Sequence, residues 1–201
     1  MLLLLACSGP PADTGGTPNP DGTNTAPTAE VLLAPDVLTA ATDIVAAASA
    51  TDPDGDPLVW DFVWTVNGQV VQEGLQNWLP AGTAVRGDTV NVEAIAWDGI
   101  DVSDPASAEG TVSNAPPVII GVRIDPEQPL AGDTLRCEAD GEDADGDPLT
   151  WTTVFRVDGQ NYPDAPVPED VTQSGETWFC QAIANDGNAD SWPMDTYVVI
   201  E

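Results

Sequence analysis

The chain has no lysine and no histidine, and its only basic side chains are four arginines, Arg86, Arg123, Arg136 and Arg156. Against them stand 34 acidic residues and a formal net charge of −30. A surface this negative repels nucleic acid and anionic headgroups and leaves cations as natural partners, although the same acidity also serves solubility alone. Without His or Lys there is no imidazole general base, no imidazole metal ligand and no Schiff-base amine. Catalysis would have to rest on paired carboxylates, and the acidic residues here fall in turn-like loops rather than in an evident cleft. The expectation is a protein that is not an enzyme. Nothing approaches the roughly 20 apolar residues of a membrane span, and no helical periodicity competes anywhere with strand alternation.

What is present is one module used twice. Asp52-Pro53-Asp54-Gly55-Asp56-Pro57-Leu58 returns as Asp143-Ala144-Asp145-Gly146-Asp147-Pro148-Leu149. Trp60 then answers to Trp151, Trp64 to Phe155, and Val66-Asn67-Gly68-Gln69 to Val157-Asp158-Gly159-Gln160. Further on, Val92 to Gly99 matches Cys180 to Gly187 with the offset three residues shorter, so an intervening loop has lost three residues. Ala26-Pro27 and Asn114-Ala115-Pro116-Pro117 punctuate the starts of the copies. Repeats of this size with acidic loops belong to extracellular binding or spacer proteins more often than to enzymes.

Alternation marks the strands. Leu58, Trp60, Phe62, Trp64 and Val66 share one face, as do Leu149, Trp151, Thr153, Phe155 and Val157. Ile44-Ala46-Ala48 and Leu135-Cys137-Ala139 alternate before the Asp loops; Val90-Val92-Ala94-Ala96 and Trp178-Cys180-Ala182-Ala184 alternate after them. With turn signals between these runs, the pattern predicts an all-β chain of two sandwiches, residues 29–114 and 115–201. Residues 7–28, rich in Pro, Gly and Thr, cannot bury a core and form a flexible tether reaching roughly 25 Å.

Met1-Leu2-Leu3-Leu4-Leu5-Ala6-Cys7 resembles the end of a bacterial lipoprotein signal peptide, with residues 1–6 a partial signal and Cys7 the lipidated residue. That resemblance implies an extracytoplasmic protein of the bacterial cell envelope, anchored to a membrane by lipid, or freely secreted if Cys7 carries none. Of the three cysteines, Cys137 and Cys180 are then left to pair in an oxidising compartment. Repeat one has Ala46 and Val92 at these positions, so both partners are lost together, as facing residues of one core would be; the alternative is two buried thiols.

The order Cys137, Trp151, Cys180 resembles the immunoglobulin arrangement, in which a Trp packs against an inter-sheet disulfide, and the short interval from Trp151 to Cys180 implies a reduced strand set. Taken whole, residues 27–201 are similar to the Ig-like, cadherin-like or PKD-like repeats of exported bacterial proteins. In such a topology the loops B–C and F–G lie at the same pole, so Asp98 would join Asp52, Asp54 and Asp56, and Asp186 would join Asp143, Asp145 and Asp147. Three carboxylates at alternate positions around a Gly suit Ca²⁺, which takes six to eight oxygen ligands. The same residues also make good turns with solvated charges. A Ca²⁺ at the second set would sit by Asn114 to Pro117, with Asp88 approaching it. Arg86-Gly87-Asp88 spells an integrin-type tripeptide, yet it aligns with Ser174-Gly175-Glu176 as a turn. Trp78, Ile95, Trp97 and Ile183 offer either an aromatic platform for sugar or cover for a sheet edge. The function expected is a non-catalytic adhesion or spacer protein stiffened by calcium, with a protein or polysaccharide ligand; the alternative is a carbohydrate-binding module of the envelope.

Overall fold

The computed structural model of the chain describes residues 23–162, 166–169 and 171–201. Cys7, the signal-like run and the tether up to residue 22 lie outside the described residues. The chain divides into two compact units, Met1–Asp36 with Ile44–Leu79 and Thr89–Gly110, and Val37–Asp43 with Pro80–Asp88 and Thr111–Glu201.

The first repeat supplies seven strands: β1 (Thr28–Ala34), β2 (Ile44–Thr51), β3 (Val59–Val66), β4 (Gln69–Gly74), β5 (Trp78–Leu79), β6 (Thr89–Trp97) and β7 (Ala106–Thr111). They form a sheet in the order β1-β2-β5 and another in the order β4-β3-β6-β7, and β1 faces β6 across the layer between them. The period of two puts Val90, Val92, Ala94 and Ala96 of β6 wholly inside, together with Phe62 and Trp64 of β3 and Ile44 and Ala46 of β2. The indole N–H of Trp64 donates to the Gln76 carbonyl at 3.2 Å, so the buried ring leaves no orphaned donor. Asn67-Gly68 closes the β3–β4 hairpin with φ of 51° and 76°, the left-handed pair that a two-residue turn of matching twist requires.

The second repeat supplies β8 (Val118–Asp125), β9 (Arg136–Glu142), β10 (Thr150–Val157), β11 (Gln160–Tyr162), β12 (Thr177–Asn185) and β13 (Met194–Val199). The order β11-β10-β12-β13 matches the four-stranded sheet of the first repeat, whereas beside β8-β9 the described residues show a bridge from Leu135 to Val167 in place of a third strand. The three-residue shortening falls between Gln160 and Cys180. Trp178, Cys180, Phe155, Leu135, Ile124 and Ile200 make the core, with Cys137 packed against it. Cys137 and Cys180 are disulfide-bonded, their Cα atoms 6.2 Å apart.

The fold is all-β, two Ig-like sandwiches in tandem with no helix among the described residues. One expectation inside it is corrected. Trp151 does not pack on the disulfide; it is 37 % exposed. The buried aromatics beside Cys180 are Trp178 and Phe155, edge to face at 6.2 Å. Phe155 pairs directly with Cys180 across the β10–β12 ladder, so the aromatic needed by the bridge comes four residues further along the strand than the immunoglobulin order implies.

Candidate functional site

Each acidic loop is built by one aspartate that folds the backbone back on itself. Asp52 Oδ1 accepts from the amides of Asp54 and Asp56 at 2.9 and 3.1 Å, and Asp143 Oδ1 accepts from those of Asp145 and Asp147 at the same two distances. Gly55 and Gly146, at φ of 78° and 79°, supply the left-handed residue that such a turn needs. The second aspartate of each loop faces the segment leading into its repeat. Asp54 Oδ2 accepts the Thr25 amide and Asp145 Oδ2 the Ala115 amide, each at 2.8 Å.

Asp98 and Asp186 are 5 % exposed and act in the same way as each other. Asp98 Oδ1 accepts the amides of Ile100 and Asp101 at 2.7 Å, and its Oδ2 accepts Asn24 Nδ2 at 3.0 Å. Asp186 Oδ1 accepts the amides of Asn188 and Ala189 at 2.6 Å, and its Oδ2 accepts Asn114 Nδ2 at 2.8 Å. Burial alone would raise the Asp98 carboxyl, but the Asn24 hydrogen bond and the loop amides together hold it below its ordinary value. For Asp186 the Asn114 hydrogen bond is the largest influence, and with the amides of Ala189 and Asn188 it outweighs burial, so this carboxyl too is lowered. The oxygens of Asp98 and Asp186 are thus spent on backbone and asparagine.

Among the described residues, the group of acidic side chains whose oxygens converge is Asp52, Asp54 and Asp56, with one oxygen of each within 4.8 Å of the others. Asp56 is the buried member. Burial and then the negative charges of Asp52, Asp54 and Asp98 push its carboxyl above the ordinary 3.8. Around Asp143, Asp145 and Asp147 the arrangement differs. The Arg86 guanidinium lies 2.8 Å from Asp147 Oδ2 and donates to Asn114 Oδ1 at 2.7 Å, while the Arg86 amide donates to Asp145 Oδ1 at 2.9 Å. Where a calcium ion beside Asn114 is expected from sequence, the positive group is an arginine. The Asp88 carboxylate accepts the Val85 amide inside its own turn at 2.9 Å.

Gly87, at φ 88°, donates to the Val112 carbonyl, and Gly175, at φ 89°, to that of Ile200, so the Arg-Gly-Asp tripeptide is a structural turn shared by both copies. Trp78 lies on β5 and Trp97 with Ile95 on β6, in different sheets of the first unit, while Ile183 belongs to β12. Sequence reasoning placed the segment from Asn114 beside these aspartates, as the structure does, but it missed Asn24 and the ion pair of Arg86. A signal for the asparagines was present: each stands just ahead of the proline that opens its repeat.

No family model matches the chain, and no curated protein does. Similar solved structures include the fibronectin(III)-like modules of Clostridium thermocellum CbhA, at 18 % identity over 85 % of this chain and 94 % of that one, with a TM-score of 0.30. The two fibronectin type-III domain segment of chicken tenascin gives 10 % identity over 87 % and 99 %, with a TM-score of 0.41. The FN1-FN3 domains of chicken CNTN1 give 10 % over 87 % and 66 %, with a TM-score of 0.38. The sandwich architecture itself rests on the strand order and pairing described above.

Proposed function

We propose that the chain is a non-catalytic, extracytoplasmic spacer or adhesion element, carried on a lipid-modified Cys7 and stiffened by calcium at its acidic loops. The observation that carries this reading is the repeated clamp on the lead-in segments. In both copies the buried carboxylate of Asp98 or Asp186 holds an asparagine that opens the repeat, and Asp54 or Asp145 holds the next backbone amide. Conserving such a device through a duplication, while the strands between have diverged, favours a role in which the path of the chain into each module matters. A spacer has that need. Neutralising clustered carboxylates would lower the cost of holding the clamp closed.

Small-angle scattering and thermal melts of the full chain in EDTA and in millimolar Ca²⁺ test the reading. Calcium should narrow the spread of shapes and raise the melting temperature; saturation at 100 times the dissociation constant stabilises the binding fold by about 2.7 kcal/mol. Superimposable scattering profiles together with unchanged melts would remove calcium stiffening. Aqueous partitioning of the native product in a detergent phase-separation assay would remove the anchor.

A further inference from the structure

The two acidic loops are copies, and one arginine makes them different. Arg86 serves two aspartates of the second loop, Asp145 Oδ1 through its amide and Asp147 through its guanidinium. The matching acceptors of the first loop are Asp54 Oδ1 and the Asp56 carboxylate. Asp54 Oδ1 is buried with no donor; Asp52 Oδ2 is as well, but in that the loops are alike, because its counterpart Asp143 Oδ2 also lacks one. Asp56 is only 9 % exposed, and among the described residues its hydrogen bonding is through its backbone amide alone. A nine-tenths buried carboxylate without a donor thus sits in a cluster whose oxygens lie within 4.8 Å of one another.

Nothing in the chain's small stock of cations neutralises that cluster. Arg86 is held by Asp147, Arg123 by Glu138 and Asp140, and Arg156 by Asp195, while Arg136 lies on β9 of the second unit. We infer that the first loop takes one calcium ion on Asp52, Asp54 and Asp56, and that Arg86 serves as a built-in substitute for the ion at the second, so that the chain binds a single Ca²⁺. The inference rests on the calcium reading above and fixes its stoichiometry and place. The chemistry of the pocket fits. Oxygens bound to one Ca²⁺ at about 2.3–2.6 Å lie up to about 5 Å apart, a span that this cluster already meets, and water completes the shell. In the second loop the guanidinium places a fixed positive charge 2.8 Å from Asp147 Oδ2, where the first loop has none.

Isothermal calorimetry with CaCl₂ on the chelator-treated full chain tests this. The wild type should show one site, Asp54→Asn combined with Asp56→Asn none, and Arg86→Gln two, the added site vanishing when Asp147→Asn is introduced as well. Melts in EDTA verify the fold of the variants; Asn at position 54 keeps one side-chain oxygen to accept the Thr25 amide. Absence of any site in the wild type overturns the calcium reading and this inference with it. Two sites in the wild type, or one that survives Asp54→Asn/Asp56→Asn, overturn the inference and leave the calcium reading standing. A count that stays at one in Arg86→Gln overturns the arginine's role.

Discussion

Replacing Cys137 by Ala and Cys180 by Val gives the second repeat the residues that the first carries at these positions, Ala46 and Val92, both wholly buried there. The exchange separates the covalent bond from the packing around it. The bridge closes a loop of sequence separation 43. By the chain-entropy relation, cross-linking such a loop takes about 13 cal/mol/K from the unfolded chain, or about 4 kcal/mol at 25 °C. Val at position 180 refills the space against Phe155 and Trp178 and should cost under about 1.5 kcal/mol by itself. A domain of this size has a total stability of only about 4 to 13 kcal/mol, so the loss is a large share of it. In urea, with a slope of about 1 to 1.5 kcal/mol/M, the midpoint of the second repeat should fall by roughly 3 M. Dithiothreitol on the wild type should reproduce the fall. A change under about 1 kcal/mol in the double variant would refute the view that the bridge acts by restraining the unfolded chain.

Trp64→Ala should cost about 3 to 5 kcal/mol by urea unfolding, because the ring is fully buried, whereas Trp60→Ala, half-buried and stacked on Phe62, should cost clearly less. Gly141→Ala places a methyl 2.7 Å from the Val118 carbonyl and 3.0 Å from the Trp151 ring; a loss of about 1 to 3 kcal/mol is expected, and an unchanged melting temperature would show that β8 gives way without cost. Asn114→Ala removes the main hydrogen bond that lowers the Asp186 carboxyl. A folded-state value below the unfolded one stabilises above the ordinary 3.8 and is lost as pH falls through the folded value. The variant should therefore lose stability at neutral pH and show a shallower decline below pH 3.8 than the wild type, in melts recorded across pH; parallel curves would refute the role of Asn114.

Periodicity made the strands legible because a half-buried strand has to alternate. Val90 to Ala96 and Trp178 to Ala184 read from sequence as inward faces, and every second residue in each is buried. The disulfide was legible for a related reason: two inward positions that change together in a duplicated core face each other. Trp151 shows where this stops. It lies on the inward face by count, but it sits near the start of β10, opposite Ala184, and its ring reaches solvent. Alternation gives the side of a sheet and not the depth along a strand.

Charge partners were less legible than packing, since they depend on side chains that meet across long stretches of sequence. Arg86 aligns with Ser174 within a turn shared by both repeats, and read in that register it has only a turn to make. Its guanidinium in fact reaches Asp147, 61 residues further along. The aspartates of the two loops are identical in sequence, and their backbone turns agree to the reported distances. What separates them is a residue from outside the motif. A chain with four basic side chains and 34 acidic ones can neutralise few of its carboxylates from within. An arginine placed on one of two identical loops therefore makes them electrostatically unlike: it puts a positive charge beside Asp147 and leaves the carboxylates of Asp52, Asp54 and Asp56 facing one another.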